Sequence, residues 1–175
     1  MKTSIKHITL GAMFLGIAYV LPYLTGNVLL GKMLLPMHLP VLLCGFVCGW
    51  PWGLAVGFLA PILRSLLIGM PSMMPTAVAM AFELAAYGAF AGLIYHRLSK
   101  TTVNLYVSLA LSMLMGRVVW GIVTFVLYSL FLTDAFTLPM FFAGAFINAW
   151  PGIIVQIVLI PLLVLALKRM KLMAK

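Results

Sequence analysis

Five strongly polar side chains lie inside long apolar runs of this 175-residue sequence, and they carry most of its capacity for chemistry. They are Arg64, Glu83, Arg117, Asn148 and Gln156. An ionisable group in an apolar environment costs several kcal/mol unless it is paired or faces a wet cavity. The first four are therefore candidate binding residues, with pairing inside the protein as the alternative for each. For Gln156 we expect only a hydrogen bond between helices.

Aromatic side chains accompany two of these polar groups. Tyr87 follows Glu83 by four residues and Trp120 follows Arg117 by three, so each shares a helix face with its polar neighbour. A cavity with aromatic walls and a few aimed polar groups is the usual form of a small-molecule site. The pattern predicts a binding site in which Tyr87 and Trp120 stack on the ligand or wall it in.

The charges of this set leave two interpretations open. Arg64 and Arg117 against Glu83 leave one spare positive charge, which favours a ligand with an anionic group or a polar ring that accepts hydrogen bonds. The alternative is that Glu83 pairs with one arginine as a structural bridge.

Catalysis is a poor fit to the same residues. Glu83 is the only carboxylate within an apolar run, so acid–base chemistry by paired carboxylates has no second member. The sequence contains no His-rich metal constellation, no phosphate-binding glycine loop and no nucleophile elbow. We therefore expect a protein that is not an enzyme and that has no cofactor and no metal.

The composition indicates where these residues lie. Of all residues, 65% are hydrophobic and only 7% are charged, with a mean hydropathy of +1.22. A soluble domain is about half apolar and roughly a quarter charged, so a lipid bilayer must cover most of this surface. The net charge of +9 would suggest nucleic acid in a soluble protein. Here the basic residues flank the apolar runs, as in membrane proteins, and we expect no nucleic-acid partner.

Gly, Pro and charged residues divide the apolar sequence into six segments. We predict an all-α fold, with residues 1–175 forming one domain of six membrane-spanning helices in a compact bundle. A tight turn is expected at residues 49–53, a lid-forming loop at 69–75, and kinks at Pro151 and Pro161. The predicted spans are approximately 8–24, 38–49, 54–68, 76–98, 103–132 and 138–167.

The distribution of Lys and Arg predicts the orientation. With six spans both termini face the same side, and the opposite side holds only Lys32 and the acidic Asp134. This bias predicts that both termini are cytoplasmic. The basic residues on the cytoplasmic side are Lys2, Lys6, Arg97, Lys100, Lys168, Arg169, Lys171 and Lys175.

This topology gives each polar residue a depth. At ~1.5 Å per residue, Glu83 lies about 12 Å and Asn148 about 14 Å from the outer ends of their spans. Arg117 lies near the middle of the fifth span, and Arg64 lies near the outer end of the third. The four should converge on the outer half of the bilayer, where His38 can join them.

Small residues line one side of the first span. Gly11, Ala12, Gly16 and Ala18 lie there, and Ala12 with Gly16 forms a small-xxx-small pair that permits close approach of another helix. Packing within this chain and docking of a partner protein are both open.

Several stretches of the chain are similar to a known family, the substrate-binding (S) components of energy-coupling factor (ECF) transporters, which are ABC-type vitamin importers. The resemblance extends over essentially the whole chain. It is carried by LPMHLPVLLCGF (35–46), GWPWG (49–53), GFLAPILRS (57–65), MAFELAAYG (80–88) and GRVVWG (116–121).

The resemblance implies a six-helix protein in the plasma membrane of a prokaryote. It implies a vitamin-like substrate bound near the outer face, and as partners a membrane coupling protein and two cytoplasmic ATPases. It also implies docking through an Ala-xxx-Ala face on the first helix. Here that pair is Ala12 and Gly16, so glycine replaces the second alanine.

The competing hypothesis is a non-transporting membrane scaffold of the MreD cell-shape type, in which the polar residues serve packing alone. A membrane-embedded enzyme is the third and least favoured option. Pantothenate, a pyridoxine-like ring and a hydroxymethylpyrimidine-like ring all remain candidate substrates.

Overall fold

A computed structural model describes residues 5–24, 33–131 and 135–170. Within these ranges the regular structure is helical and no strand occurs, which confirms the all-α prediction. The helices are α1 (Ile5–Leu24), α2 (His38–Cys48), α3 (Trp50–Ile68), α4 (Val78–Arg97), α5 (Thr102–Phe131), α6 (Leu138–Phe142) and α7 (Trp150–Arg169). A π-helical turn, Met73–Ala77, precedes α4, and a second one, Ala143–Ile147, follows α6.

Five of the described segments are long and apolar enough to cross a membrane. They are α1, α3, α4 with its preceding turn, α5 and α7. The chain is therefore a multi-pass membrane protein, while the sixth span and the cytoplasmic termini stay predictions. The predicted second span corresponds to α2, which has 11 residues and rises only about 16 Å. Nearly all of α2 is buried, so other helices and not lipid surround it.

Glycines allow α3 and α4 to pack with their backbones in contact. A Cβ on Gly53 would overlap the Gly88 carbonyl oxygen, and one on Gly57 would overlap the Leu84 carbonyl. Gly45 of α2 approaches the same Gly88 carbonyl. Small residues are the usual means of close helix approach in membranes, and here they bring α2, α3 and α4 together as the centre of the bundle.

Two local predictions are corrected. The turn predicted over residues 49–53 is confined to Gly49, whose φ of 91° is readily adopted by glycine, and α3 begins at Trp50 with Pro51 in its first turn. The last predicted span is divided between α6, its π-helical turn and α7. Pro151 consequently lies in the first turn of α7 and does not kink it, because a proline there removes no intrahelical hydrogen bond. Pro161 does lie inside α7.

Candidate functional site

The Glu83 carboxylate lies at the centre of a buried polar cluster. Its Oε1 accepts a hydrogen bond of 2.7 Å from Arg117 Nη1 and lies 3.3 Å from His38 Nε2. Glu83 is on α4, Arg117 is on α5 and His38 is the first residue of α2. The helices α2, α4 and α5 are thus joined through one carboxylate oxygen.

Tyr87 completes this group, which we call the Glu83 cluster (His38, Glu83, Tyr87 and Arg117). It lies one turn after Glu83 on α4, and its ring meets the His38 imidazole edge to face at 5.1 Å between centroids. Gly116, beside Arg117, leaves the space that the Tyr87 ring occupies, because a Cβ there would lie 2.7 Å from the ring. The cluster therefore lies where α4 crosses α5. Glu83 and Tyr87 reach this crossing from α4, and Gly116 and Arg117 reach it from α5.

The cluster is closed to the exterior. His38 is 1% exposed, Glu83 2%, Tyr87 1% and Arg117 5%. Glu83 and Arg117 are the buried full charges of the described chain, and they balance each other. Burial of such a pair removes both ions from water, so the pair is stable only when close contact and further hydrogen bonds offset the lost hydration.

The hydrogen bonding of this cluster is incomplete. Among the described residues, Arg117 Nε, Arg117 Nη2 and His38 Nδ1 are buried without a partner. Buried polar groups in proteins are nearly always bonded to protein or to water, and an exception requires an explanation. The Glu83 cluster therefore has buried hydrogen-bonding capacity that its own residues do not use.

Arg64 occupies a different place. Its Nη1 donates to the Tyr19 carbonyl oxygen of α1 at 2.8 Å, and its guanidinium lies 4.9 Å from the centre of the Tyr23 ring. Antiparallel α3 and α4 place Gly53 beside Gly88 and Gly57 beside Leu84, so Arg64 lies level with residue 77. That level is six residues, or about 9 Å, from Glu83. Arg64 is therefore a link between α3 and α1, and the described residues show no hydrogen bond between it and Glu83.

Trp120 and Asn148 also lie outside the Glu83 cluster. Trp120 is one turn beyond Arg117 on α5, and its ring stacks on Phe141 at 6.1 Å and meets Phe136 edge to face. Its edge also contacts Gly144, so it anchors the broken segment between α5 and α7. Asn148 is exposed at the end of that segment, and no hydrogen bond joins its side chain to the cluster in the described chain.

The structure thus brings four of the seven predicted site residues together, namely His38, Glu83, Tyr87 and Arg117. It also changes the role expected of Gln156. That side chain is 1% exposed, and neither its Nε2 nor its Oε1 has a partner within the described residues, so the predicted interhelical hydrogen bond is absent. A glutamine in an apolar run was the only sequence signal, and it does not distinguish a bonded side chain from an unbonded one.

The small residues of α1 divide between two faces. Gly11 is buried, and a Cβ added to it would lie 3.1 Å from the Trp52 ring. Ala12 and Gly16 are exposed. Nothing lies within 4 Å of a Cβ at Gly16. An open groove of about 420 Å³ runs along this side, lined by Met13, Gly16, Ile17, Val20 and Leu21. Of the predicted docking residues, Gly11 therefore serves internal packing, and Ala12 and Gly16 face outward.

Comparison with known proteins gives one positive result. No curated protein and no solved structure matches the chain. A family model described as "ECF transporter, substrate-specific component" matches residues 6–164, which include every helix of the Glu83 cluster and the outward side of α1. The chain belongs to the family of substrate-specific components of ECF transporters.

Proposed function

We propose that this protein captures a vitamin or related micronutrient on the outer side of the membrane and delivers it inward with a separate energising module. Family membership makes it a substrate-binding transport subunit and not an enzyme. The observation that carries the proposal is the Glu83 cluster with its unpartnered buried atoms. A chain that needed its polar residues for packing alone, as in the scaffold hypothesis, would gain nothing from leaving them unpartnered.

The Glu83 cluster forms the centre of the proposed site, and Trp120 forms its outward wall. His38 and Arg117 supply the free hydrogen-bonding atoms, while Tyr87 supplies a flat aromatic surface beside them. Because the Glu83 cluster is buried, the proposal requires an opening through which the ligand enters. We place this opening at the Trp120–Phe141 stack, which would have to move. Arg64 and Asn148 are proposed to act at the entrance, away from the central cluster.

Replacing Tyr87 by leucine should weaken substrate binding at least about tenfold, since it removes an aromatic wall worth about 1.4 kcal/mol or more. Tyr95→Leu is the matched control. Tyr95 lies on the same helix, is equally buried at 1%, and makes a similar edge contact with Phe46 at 5.3 Å. Both variants should lose comparable stability, but only Tyr87→Leu should lose affinity.

The measurement uses purified protein in lipid nanodiscs. Binding of pantothenate, pyridoxine and hydroxymethylpyrimidine is followed by titration calorimetry, and small molecules carried through purification are identified by mass spectrometry after denaturation. Equal affinity of the two tyrosine variants would remove Tyr87 from the site. Absence of any bound small molecule, together with co-purification of cell-wall proteins, would favour the scaffold hypothesis.

Gly16→Leu should leave the isolated protein folded and able to bind substrate but should reduce uptake at least about tenfold. The side chain enters open space, so it disturbs no internal contact, yet it fills the smooth outward surface on which a partner helix is proposed to dock. The measurements are uptake by cells and co-purification with the coupling protein. Ala110→Leu, at an exposed position of α5, controls for added bulk on a lipid-facing surface. Unchanged uptake by Gly16→Leu would refute docking at this face.

A further inference from the structure

Gln156 is a buried amide that has no bonding partner within the described chain. It is 1% exposed, and both its donor, Nε2, and its acceptor, Oε1, are unpartnered. An unbonded buried amide costs about 1–3 kcal/mol, and here both halves of the amide are left unbonded. An apolar side chain would pack at this position without that cost. The position therefore favours a hydrogen-bonding partner from outside the described chain.

The packing of α7 places Gln156 near the start of α2, the helix that begins with His38. Gly152 lies one turn before Gln156 on the same face, and a Cβ on Gly152 would meet the Leu34 carbonyl at 2.9 Å, just before α2 begins. Ile160, one turn after Gln156, is fully buried on that face. The helix also contacts both α2 and α5, which carry His38 and Arg117. Gln156 therefore faces the bundle interior near the start of α2.

The unpartnered atoms on these three helices are mixed in character. A carboxylate only accepts, so His38 Nε2–H donates to Glu83, and in that tautomer Nδ1 is an acceptor. Arg117 presents Nε and Nη2 as donors, and Gln156 presents one donor and one acceptor. A ligand that satisfies this set carries acceptors and donors together, as a hydroxylated pyridine, an aminopyrimidine or an amide does.

The charge of the site disfavours an anion. Glu83 neutralises Arg117, and the second arginine of the sequence prediction, Arg64, lies about 9 Å further along the bundle. A carboxylate bound to the free edge of Arg117 would lie close to the Glu83 carboxylate and would leave a net negative charge in a buried site. A neutral acceptor takes the same N–H groups without that repulsion.

We propose that Gln156 is a further substrate-contacting residue and that, with His38 and Arg117, it selects an uncharged polar ring or amide over an anion. The inference rests on the proposed function, because it assigns a substrate class to the same site. It revises the expectation of a spare positive charge that the sequence alone supports.

The test compares Gln156→Met with Ile157→Met, its exposed neighbour on α7. The probes are pyridoxine and hydroxymethylpyrimidine, which carry no net charge, and the anion pantothenate. At least one uncharged probe should bind the unsubstituted protein more tightly than pantothenate. Gln156→Met should weaken that binding at least tenfold, whereas Ile157→Met should leave it unchanged. The melting temperature of ligand-free Gln156→Met should not fall, because the substitution removes an unsatisfied amide and keeps a similar volume.

The outcomes separate this inference from the proposed function. Tighter binding of pantothenate than of both uncharged probes would overturn the substrate class while the transport role stands. Undiminished affinity in Gln156→Met would show that Gln156 does not contact the substrate. A lowered melting temperature without ligand would show that its role is structural. If none of the three probes binds, the net charge of the co-purified small molecule decides the substrate class. If no small molecule is found either, the proposed function and this inference both fail.

Discussion

Glu83→Gln is expected to destabilise the protein by about 3 kcal/mol or more, the largest effect of any single polar substitution in the chain. The glutamine can still accept a hydrogen bond, but Arg117, which is 5% exposed, loses the charge that compensates its guanidinium. Breaking a buried ion pair from one side costs about 3–5 kcal/mol for this reason. Reversible unfolding in mixed micelles measures the free-energy difference.

A double-mutant cycle shows whether the loss comes from the pair itself. Arg117→Met should be about as damaging as Glu83→Gln, since it leaves the carboxylate buried and unpaired. The double variant should be less destabilised than the sum of the two, because no uncompensated charge remains. Ser112→Ala is the control on α5, since it removes a buried hydroxyl that bonds only within its own helix, and should cost about 1 kcal/mol or less. Additive effects around the cycle would contradict a direct Glu83–Arg117 interaction.

Local spacing predicted the Glu83 cluster better than it predicted the surroundings of that cluster. The four-residue spacing of Glu83 and Tyr87 fixes a shared helix face, and the orientation rule brought His38 to the same outer half of the bilayer. Both features depend only on helix geometry and topology. The structure brings His38, Glu83 and Tyr87 together, while their place in the outer half of the bilayer stays a prediction.

Arg64 shows why the remainder could not be predicted. Its depth follows from helix rise, but its partner depends on the rotation of α3 about its own axis. In a soluble helix the apolar stripe gives that rotation. In this chain the lipid-facing and the buried sides are both apolar, so the sequence carries no such stripe, and the contact with Tyr19 could not be distinguished from one with Glu83.

The division of the last predicted span has a similar cause. Residues 138–167 form one uninterrupted apolar run, and hydropathy alone treats it as one helix. The chain instead breaks near Asn148, where the Trp120 ring presses against Gly144 and Phe141. Pro151 is a local signal for a helix start at this point, but the contact of Trp120 with the segment before α7 is not visible in the sequence.

Gly88→Ala should prevent stable folding, with a loss of about 3 kcal/mol or more, because the new methyl group would overlap the Gly53 carbonyl. The neighbour is helix backbone and cannot rotate away as a side chain can. The helices α3 and α4 would have to separate, which also withdraws Glu83 from the α4–α5 crossing.

The direction of the stability change distinguishes Gly88→Ala from an ordinary Gly→Ala substitution in a helix. In a helix interior alanine is favoured over glycine by roughly 0.5–1 kcal/mol, so Gly→Ala stabilises wherever space allows. Gly16→Ala meets that condition on α1 and should slightly raise the unfolding free energy of the isolated chain. Gly88→Ala should lower it in the same micelles. If Gly88→Ala were neutral or stabilising, the backbone contact between α3 and α4 would not exist, and neither would the close helix packing that holds Glu83 against Arg117.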